Sequence, residues 1–216
     1  MRHSRNYRRL FIFLVIVTAS QFRVSAQTLK DMFTNSETPV FYYGIDFTKA
    51  KLIDDATVSA SDIRDRQFTG INQLIINEPD KYNLKDAFNR TLDHDISAVN
   101  ARNEKANTEA ILSSNTADFH RLKEDDIAAL IKGFDAGGKK GIGLLFIVEG
   151  MSKSAKSIAV WVALFDPKSK KVLLTERIEG KPTGLSFRNY WAGGIRNVIT
   201  DIKKKKYSEW KSKYGQ

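Results

Sequence analysis

A chain of 216 residues without one cysteine has no disulfides to lean on, so its stability rests on an apolar core that 42% hydrophobic residues can supply. Its net charge of +10 is local: Arg2, Arg5, Arg8, Arg9 and Arg23 lie in the first 26 residues, and residues 203–216 hold six lysines against Glu209. Residues 27–202 then carry 24 basic and 24 acidic side chains, and a neutral body lacks the distributed basic face that nucleic acid requires, which excludes that partner.

The first 26 residues read as a signal peptide. They have a basic head, a ten-residue apolar run from Leu10 to Ala19, and Val24-Ser25-Ala26 as an A-x-A-like cleavage site. Cleavage leaves Gln27 first; a retained anchor is the alternative, although that run is half of the roughly 20 residues a span needs. No cysteine follows to accept a lipid, so the expected product is periplasmic or secreted, without a lipid anchor. Residues 27–38 are polar and are expected to be flexible.

Residues 39–202 read as a single domain. Val40 to Phe47 alternates, with Phe41, Tyr43, Ile45 and Phe47 on one face of a strand. Ser61 can cap a helix carrying Ile63, Phe68, Ile71, Leu74 and Ile75, which ends near Pro79. Tyr82 to Phe88 predicts a short helical turn, His94 to Arg102 a strand, and 103–120 a surface loop. Behind the acidic turn Glu124-Asp125-Asp126, residues Ile127, Leu130, Ile131 and Phe134 have helical spacing. Ile142 to Val148 and Ile158 to Phe165 are apolar on both faces, as central strands are. Asp166 to Lys170 is turn chemistry, and Val172 to Ile178 returns as a third strand. A last helix runs from a Ser186 cap through Phe187, Trp191, Ile195, Val198, Ile199 and Ile202. Gly193 and Gly194 within it imply close approach to the sheet, or a helix that begins only after them. The order β-α-α-β-α-β-β-β-α predicts an α/β fold: a mixed, roughly five-stranded sheet with a C-terminal antiparallel meander and helices packed on it.

Motifs for chemistry are sparse. Gly133 to Lys140 nearly spells a phosphate loop, but it leaves a helix for a strand and lacks the final hydroxyl, so it reads as a connector. Asp93, Asp95, Ser97 and Glu104 mimic a calcium loop with Ala98 where glycine is required. His94 and His120 stand alone, and Asp54-Asp55 and Glu124-Asp125-Asp126 are sequence neighbours whose side chains diverge. No catalytic residue, metal or cofactor is nominated.

The unusual surface is the tail, residues 203–216. Tyr207, Trp210 and Tyr214 form one helical stripe among Lys203, Lys204, Lys205, Lys206, Lys211 and Lys213. It can pack on the body, with the lysines favoured by the helix dipole, or contact an envelope protein or an anionic membrane surface.

Gly141 to Lys205, with Val148-Glu149-Gly150 ending one strand and IAVWVALFDPKSKKVLLTERIEG following, resembles the α/β domain of the curli secretion lipoprotein and the TolB amino-terminal domain. Tyr82-x-Leu84-Lys85-x-Ala87-Phe88 and Lys204-x-x-Tyr207-x-x-Trp210 are similar to phrases in small uncharacterised exported proteins of Gram-negative bacteria. These resemblances imply a non-enzymatic accessory or binding protein of the cell envelope and bring no catalytic residue. The alternative is an envelope hydrolase with an unidentified carboxylate pair.

Overall fold

A computed structural model describes residues 28–55 and 57–216; the segment read as a signal peptide lies outside them. Strand β1 (Val40–Asp46) and strand β2 (Lys51–Ile53) are two pieces of one interrupted strand. Both run parallel to the same side of β5 (Ile142–Ser152), β1 against its first half and β2 against its end. The two-residue strands β3 (Asp93–His94) and β4 (Leu112–Ser113) pair in parallel outside β1 and β2. On the other side of β5, β6 (Ser157–Phe165) and β7 (Val172–Gly180) add antiparallel in succession. Across the sheet the positions are therefore β3/β4, β1/β2, β5, β6 and β7. Four of these positions hold the strands expected at 40–47, 142–148, 158–165 and 172–178; the outermost is built from the two-residue pieces β3 and β4 instead of a strand over 94–102. β5 is buried along its whole length, as its two-faced apolar sequence requires.

The chain is a mixed α/β domain with helices on both faces. One face carries α1 (Leu29–Thr34), α3 (Phe68–Asn77), α4 (Leu84–Phe88), α7 (Phe187–Asp201) and α8 (Tyr207–Tyr214), packed on Tyr42, Ile45, Phe146, Val148, Val160 and Val162. The other face is covered by α6 (Glu124–Lys132), which lays Ile127, Leu130 and Ile131 on Tyr43, Leu145, Ile147 and Ala163.

Four expectations are corrected. Residues 28–38 are not a flexible lead: Thr28 and Asp31 form a capping box, and α1 buries Leu29, Met32 and Phe33. Arg90 fixes it by donating to the carbonyls of Met32 and Thr38, the latter at 2.7 Å. In β1 the single inward face is broken at Gly44, where φ is +96° and the register with β5 shifts. The bulge leaves Phe41 and Tyr43 toward α6 and turns Ile45 and Phe47 to the opposite face. Residues 94–102 are mostly helix, α5 (Ser97–Asn103), because the Asp95 carboxylate accepts the Ser97 N–H at 2.9 Å and its hydroxyl at 2.7 Å and starts a helical turn. Residues 103–120 are not simple surface loop, since they contain β4 and two 3₁₀ turns and bury Ile111 and Phe119.

Two π turns explain spacings that an ideal helix cannot hold. Ile63–Gln67 joins α2 (Ala60–Asp62) to α3 and lets Ile63 and Phe68, five residues apart, both be buried. Ile202–Lys206 joins α7 to α8 in the same way. A regular helix would bring Lys205 and Lys206 inward after Ile202; the wider turn brings Tyr207 instead.

α7 is continuous through Gly193 and Gly194, so the close-approach reading holds. A Cβ on Gly193 would lie 2.1 Å from the Thr183 carbonyl oxygen, and one on Gly194 would lie 2.5 Å from the Ile158 side chain. Gly193→Ala should therefore destabilise the protein by about 2 kcal/mol or more, although alanine is the better helix former by about 1 kcal/mol. Urea unfolding checks this; an unchanged or raised midpoint would refute the packing argument.

Candidate functional site

From β1/β2 the chain reaches β3 through α3 on one face of the sheet, and it reaches β5 through α6 on the other. Connections that leave toward opposite faces open a crevice at the carboxyl ends of the parallel strands, the usual ligand position in open α/β sheets. Of two cavities of about 390 Å³ each, one lies at these ends and the other at the interruption between β1 and β2. The cavity at the interruption is lined by Lys49, which follows β1, by Arg121 and Leu122, and by Asp126, Ala129 and Leu130 of α6. The other is lined by Asp54 and Asp55, which follow β2, and by Leu112, Ser113 and Ser114.

The adjacent acids Asp54 and Asp55 do not form a facing pair. Asp54, at φ +59°, accepts the Ser154 hydroxyl with its Oδ2. Asp55 accepts the Thr57 hydroxyl at 2.5 Å, and its other oxygen is 3.8 Å from Lys153 Nζ.

Two carboxylates that sequence reasoning passed over, Asp46 and Glu149, are fully buried under α6 and the residues preceding it. Asp46 Oδ1 accepts the Thr48 N–H at 2.8 Å and its hydroxyl at 2.6 Å, and Oδ2 lies 3.1 Å from Arg102 Nε. Glu149 Oε1 accepts the Leu122 N–H at 2.5 Å; Oε2 accepts Trp161 Nε1 at 3.2 Å and Arg177 Nε at 2.7 Å. A buried charge survives only when paired and hydrogen-bonded, and both are. They clamp strands to loops and offer no free oxygen pair to a substrate. The signal that could have found them is a lone acid inside an apolar run, in Tyr43-Gly44-Ile45-Asp46-Phe47 and Phe146-Ile147-Val148-Glu149.

The tail residues divide by face. Trp210 is buried, donates its indole N–H to Glu176 and stacks on Phe88 with ring centroids 6.4 Å apart. Tyr207 meets Phe33 edge-on at 5.4 Å, and Tyr214 is half-buried against the same core. Lys206 lies against Glu176 at 2.5 Å, and this carboxylate beside its ammonium raises the lysine pKa. Lys203 pairs with Asp86 at 2.7 Å, and Lys205 lies 3.9 Å from Glu209. Lys204, Lys205, Lys211 and Lys213 are exposed; among the described residues no carboxylate lies within 4.0 Å of Lys204, Lys211 or Lys213.

The remaining motifs serve local structure. Asp93 and His94 are exposed on β3, and Asp95 starts α5. Among the described residues no three His, Asp or Glu side chains gather as metal ligands, and no helix is long and apolar enough to cross a membrane. Residues 133–141 connect α6 to β5, held by the Tyr43 hydroxyl donating to the Ala136 carbonyl at 2.9 Å and by Lys170 donating to that of Phe134 at 2.6 Å.

No family model matches the chain, and no curated protein matches it. Among solved structures, the crystal structure of lipoprotein GNA1162 from Neisseria meningitidis is similar to it at 14% identity, over 77% of this chain and 97% of that one, with a TM-score of 0.29. A score that low carries no argument about fold or role.

Proposed function

We propose that the protein is an exported, non-enzymatic accessory or binding protein of the cell envelope that presents the exposed lysines of α8 and of the turn before it to an anionic surface. The observation that carries this reading is the anchoring of Trp210. With the aromatic stripe locked into the body, Lys204, Lys205, Lys211 and Lys213 are held outward along one rigid helix. Export is supported by the basic, apolar and small-residue order of the first 26 residues. The alternative, a hydrolase built on a carboxylate pair, needs two facing acids. Among the described residues Asp46 and Glu149 are each closed by an arginine, and Asp54 and Asp55 are held by different partners, so binding is the reading we carry.

The test is co-sedimentation with phosphatidylglycerol vesicles at low and high salt. Each lysine near an anionic surface contributes about 1 kcal/mol, so Lys204→Glu/Lys211→Glu/Lys213→Glu should bind about 100-fold more weakly or worse at low salt. High salt should weaken the wild type as well. Equal, negligible binding by both proteins rules out a lipid surface. Crosslinking and pull-down from the protein's own cells then decides whether an acidic envelope protein takes its place, and recovery of no envelope component would end the reading.

A further inference from the structure

The structure assigns a second ligand site, at the opposite side of the sheet from the α8 lysines. We propose that the cavity between Lys49, Arg121 and the flank of α6 binds a small organic anion, an oxyanion head on a short apolar chain. The argument starts from charge. Arg121 donates to the Lys49 carbonyl, which ties the turn after β1 to the segment entering α6. Its Nε is buried with no hydrogen-bond partner, and among the described residues no carboxylate lies within 4.0 Å of either Arg121 or Lys49. A half-buried guanidinium without a counter-charge is unusual, because burial of a charge is costly unless it is paired.

The nearby acids are committed elsewhere. Asp126, the one acid lining the cavity, accepts the Lys123 N–H at 2.9 Å as part of the α6 cap. Asp46 and Glu149, under the same face, are held by Arg102 and Arg177. The fold therefore holds the Arg121 guanidinium at this cavity, with exposed Lys49 on its rim, and commits the neighbouring carboxylates to other partners. An oxyanion seated there supplies the missing counter-charge.

The rest of the wall sets the ligand's second feature. Leu122, Ala129 and Leu130 give the cavity an apolar side, and its volume of about 390 Å³ suits a small molecule rather than a bare ion. It lies beside the interruption between β1 and β2, where Lys49 leaves the line of the strand under the flank of α6.

The experiment is an amide-resolved NMR titration of the protein at low salt with four probes: hexanoate, acetate, inorganic phosphate and hexylammonium. Hexanoate should give saturable shifts centred on Lys49, Arg121, Leu122 and Ala129, with a Kd of about 1 mM for a ligand of this size. Acetate and phosphate should shift the same amides more weakly, and whichever of the two is tighter identifies the head group. Hexylammonium should leave those amides unmoved. Lys49→Gln keeps the carbonyl that Arg121 uses and should weaken hexanoate several-fold. Arg121→Lys should weaken it about tenfold, as a guanidinium is the better oxyanion donor. The α8 triple charge reversal should leave hexanoate binding unchanged, so the two proposals stand or fall separately. Equal shifts by hexanoate and hexylammonium, shifts without saturation, or full affinity in Lys49→Gln would each overturn the assignment.

Discussion

Replacing either Asn72 or Asn103 with alanine should lower the unfolding free energy by about 2–4 kcal/mol, the cost of orphaning a buried backbone donor together with its lost partner. Both side chains are fully buried. They do the work of a strand that is too short. β3 pairs only with Phe41 and Tyr42, and beyond it, among the described residues, no strand pairs with the outer edge of β1. Asn72 Oδ1 accepts the Ile45 N–H at 2.7 Å, and Asn103 Oδ1 accepts the Phe47 N–H at 2.7 Å. Both amide groups donate to the Ile45 carbonyl, at 3.0 and 2.9 Å. A carboxamide carries one acceptor beside its donors, as a peptide unit does, so two asparagines replace one missing strand.

This geometry makes two further outcomes decisive. Asn72→Asp and Asn103→Asp keep the acceptor but replace the donor with a buried negative oxygen facing the Ile45 carbonyl, so each should be at least as harmful as alanine. In the double alanine variant the Ile45 carbonyl loses both donors, whereas each single variant leaves it one. The double variant should therefore cost about 1 kcal/mol more than the sum of the singles. Urea or thermal unfolding of the four proteins completes the cycle. Strict additivity, or an aspartate variant as stable as wild type, would show that the amides are not acting as a strand.

The same residues show what could be seen in the sequence and what could not. β5, β6, α6 and α7 are long and periodic, so their apolar pattern alone locates them. Asn72 falls at i+4 from Phe68, on the apolar stripe of α3, and only the missing outer strand explains why an amide stands there. The bulge at Gly44 reverses which face Ile45 and Phe47 take, and no period-two reading contains that step. The stripe Tyr207, Trp210 and Tyr214 is visible at steps of three and four. The side it faces is set by the five-residue step from Ile202 across a π turn, which the sequence does not announce. The anion cavity is less legible still. Lys49 and Arg121 are isolated loop cations 72 positions apart, and the fold joins them only where β1 ends beside the segment entering α6.

Arg177→Met should be among the most damaging substitutions in the protein, with a loss of about 3–5 kcal/mol, because it strands a buried carboxylate. Glu149 is fully buried on β5, and its hydrogen bonds reach three other elements: Trp161 on β6, Arg177 on β7 and the Leu122 amide before α6. Arg177 extends the network by donating to the Phe119 carbonyl at 2.7 Å, to Glu179 at 2.6 Å, and by lying 5.2 Å over the Phe119 ring. Burial lowers the guanidinium's affinity for its proton, but the two glutamates more than compensate, and its pKa is raised. Removing the cation alone leaves Glu149 desolvated with only the indole and the Leu122 amide as donors. Glu149→Leu/Arg177→Met removes both charges, so it should recover at least half of the stability lost in Arg177→Met. The Leu122 amide still loses its acceptor, and so the recovery should be incomplete. Because Leu122 also lines the anion cavity, the double variant should bind hexanoate more weakly even where it is well folded. A double variant less stable than Arg177→Met would mean that the strand-to-loop clamp is held by hydrogen bonds to Glu149 rather than by the pairing of charges.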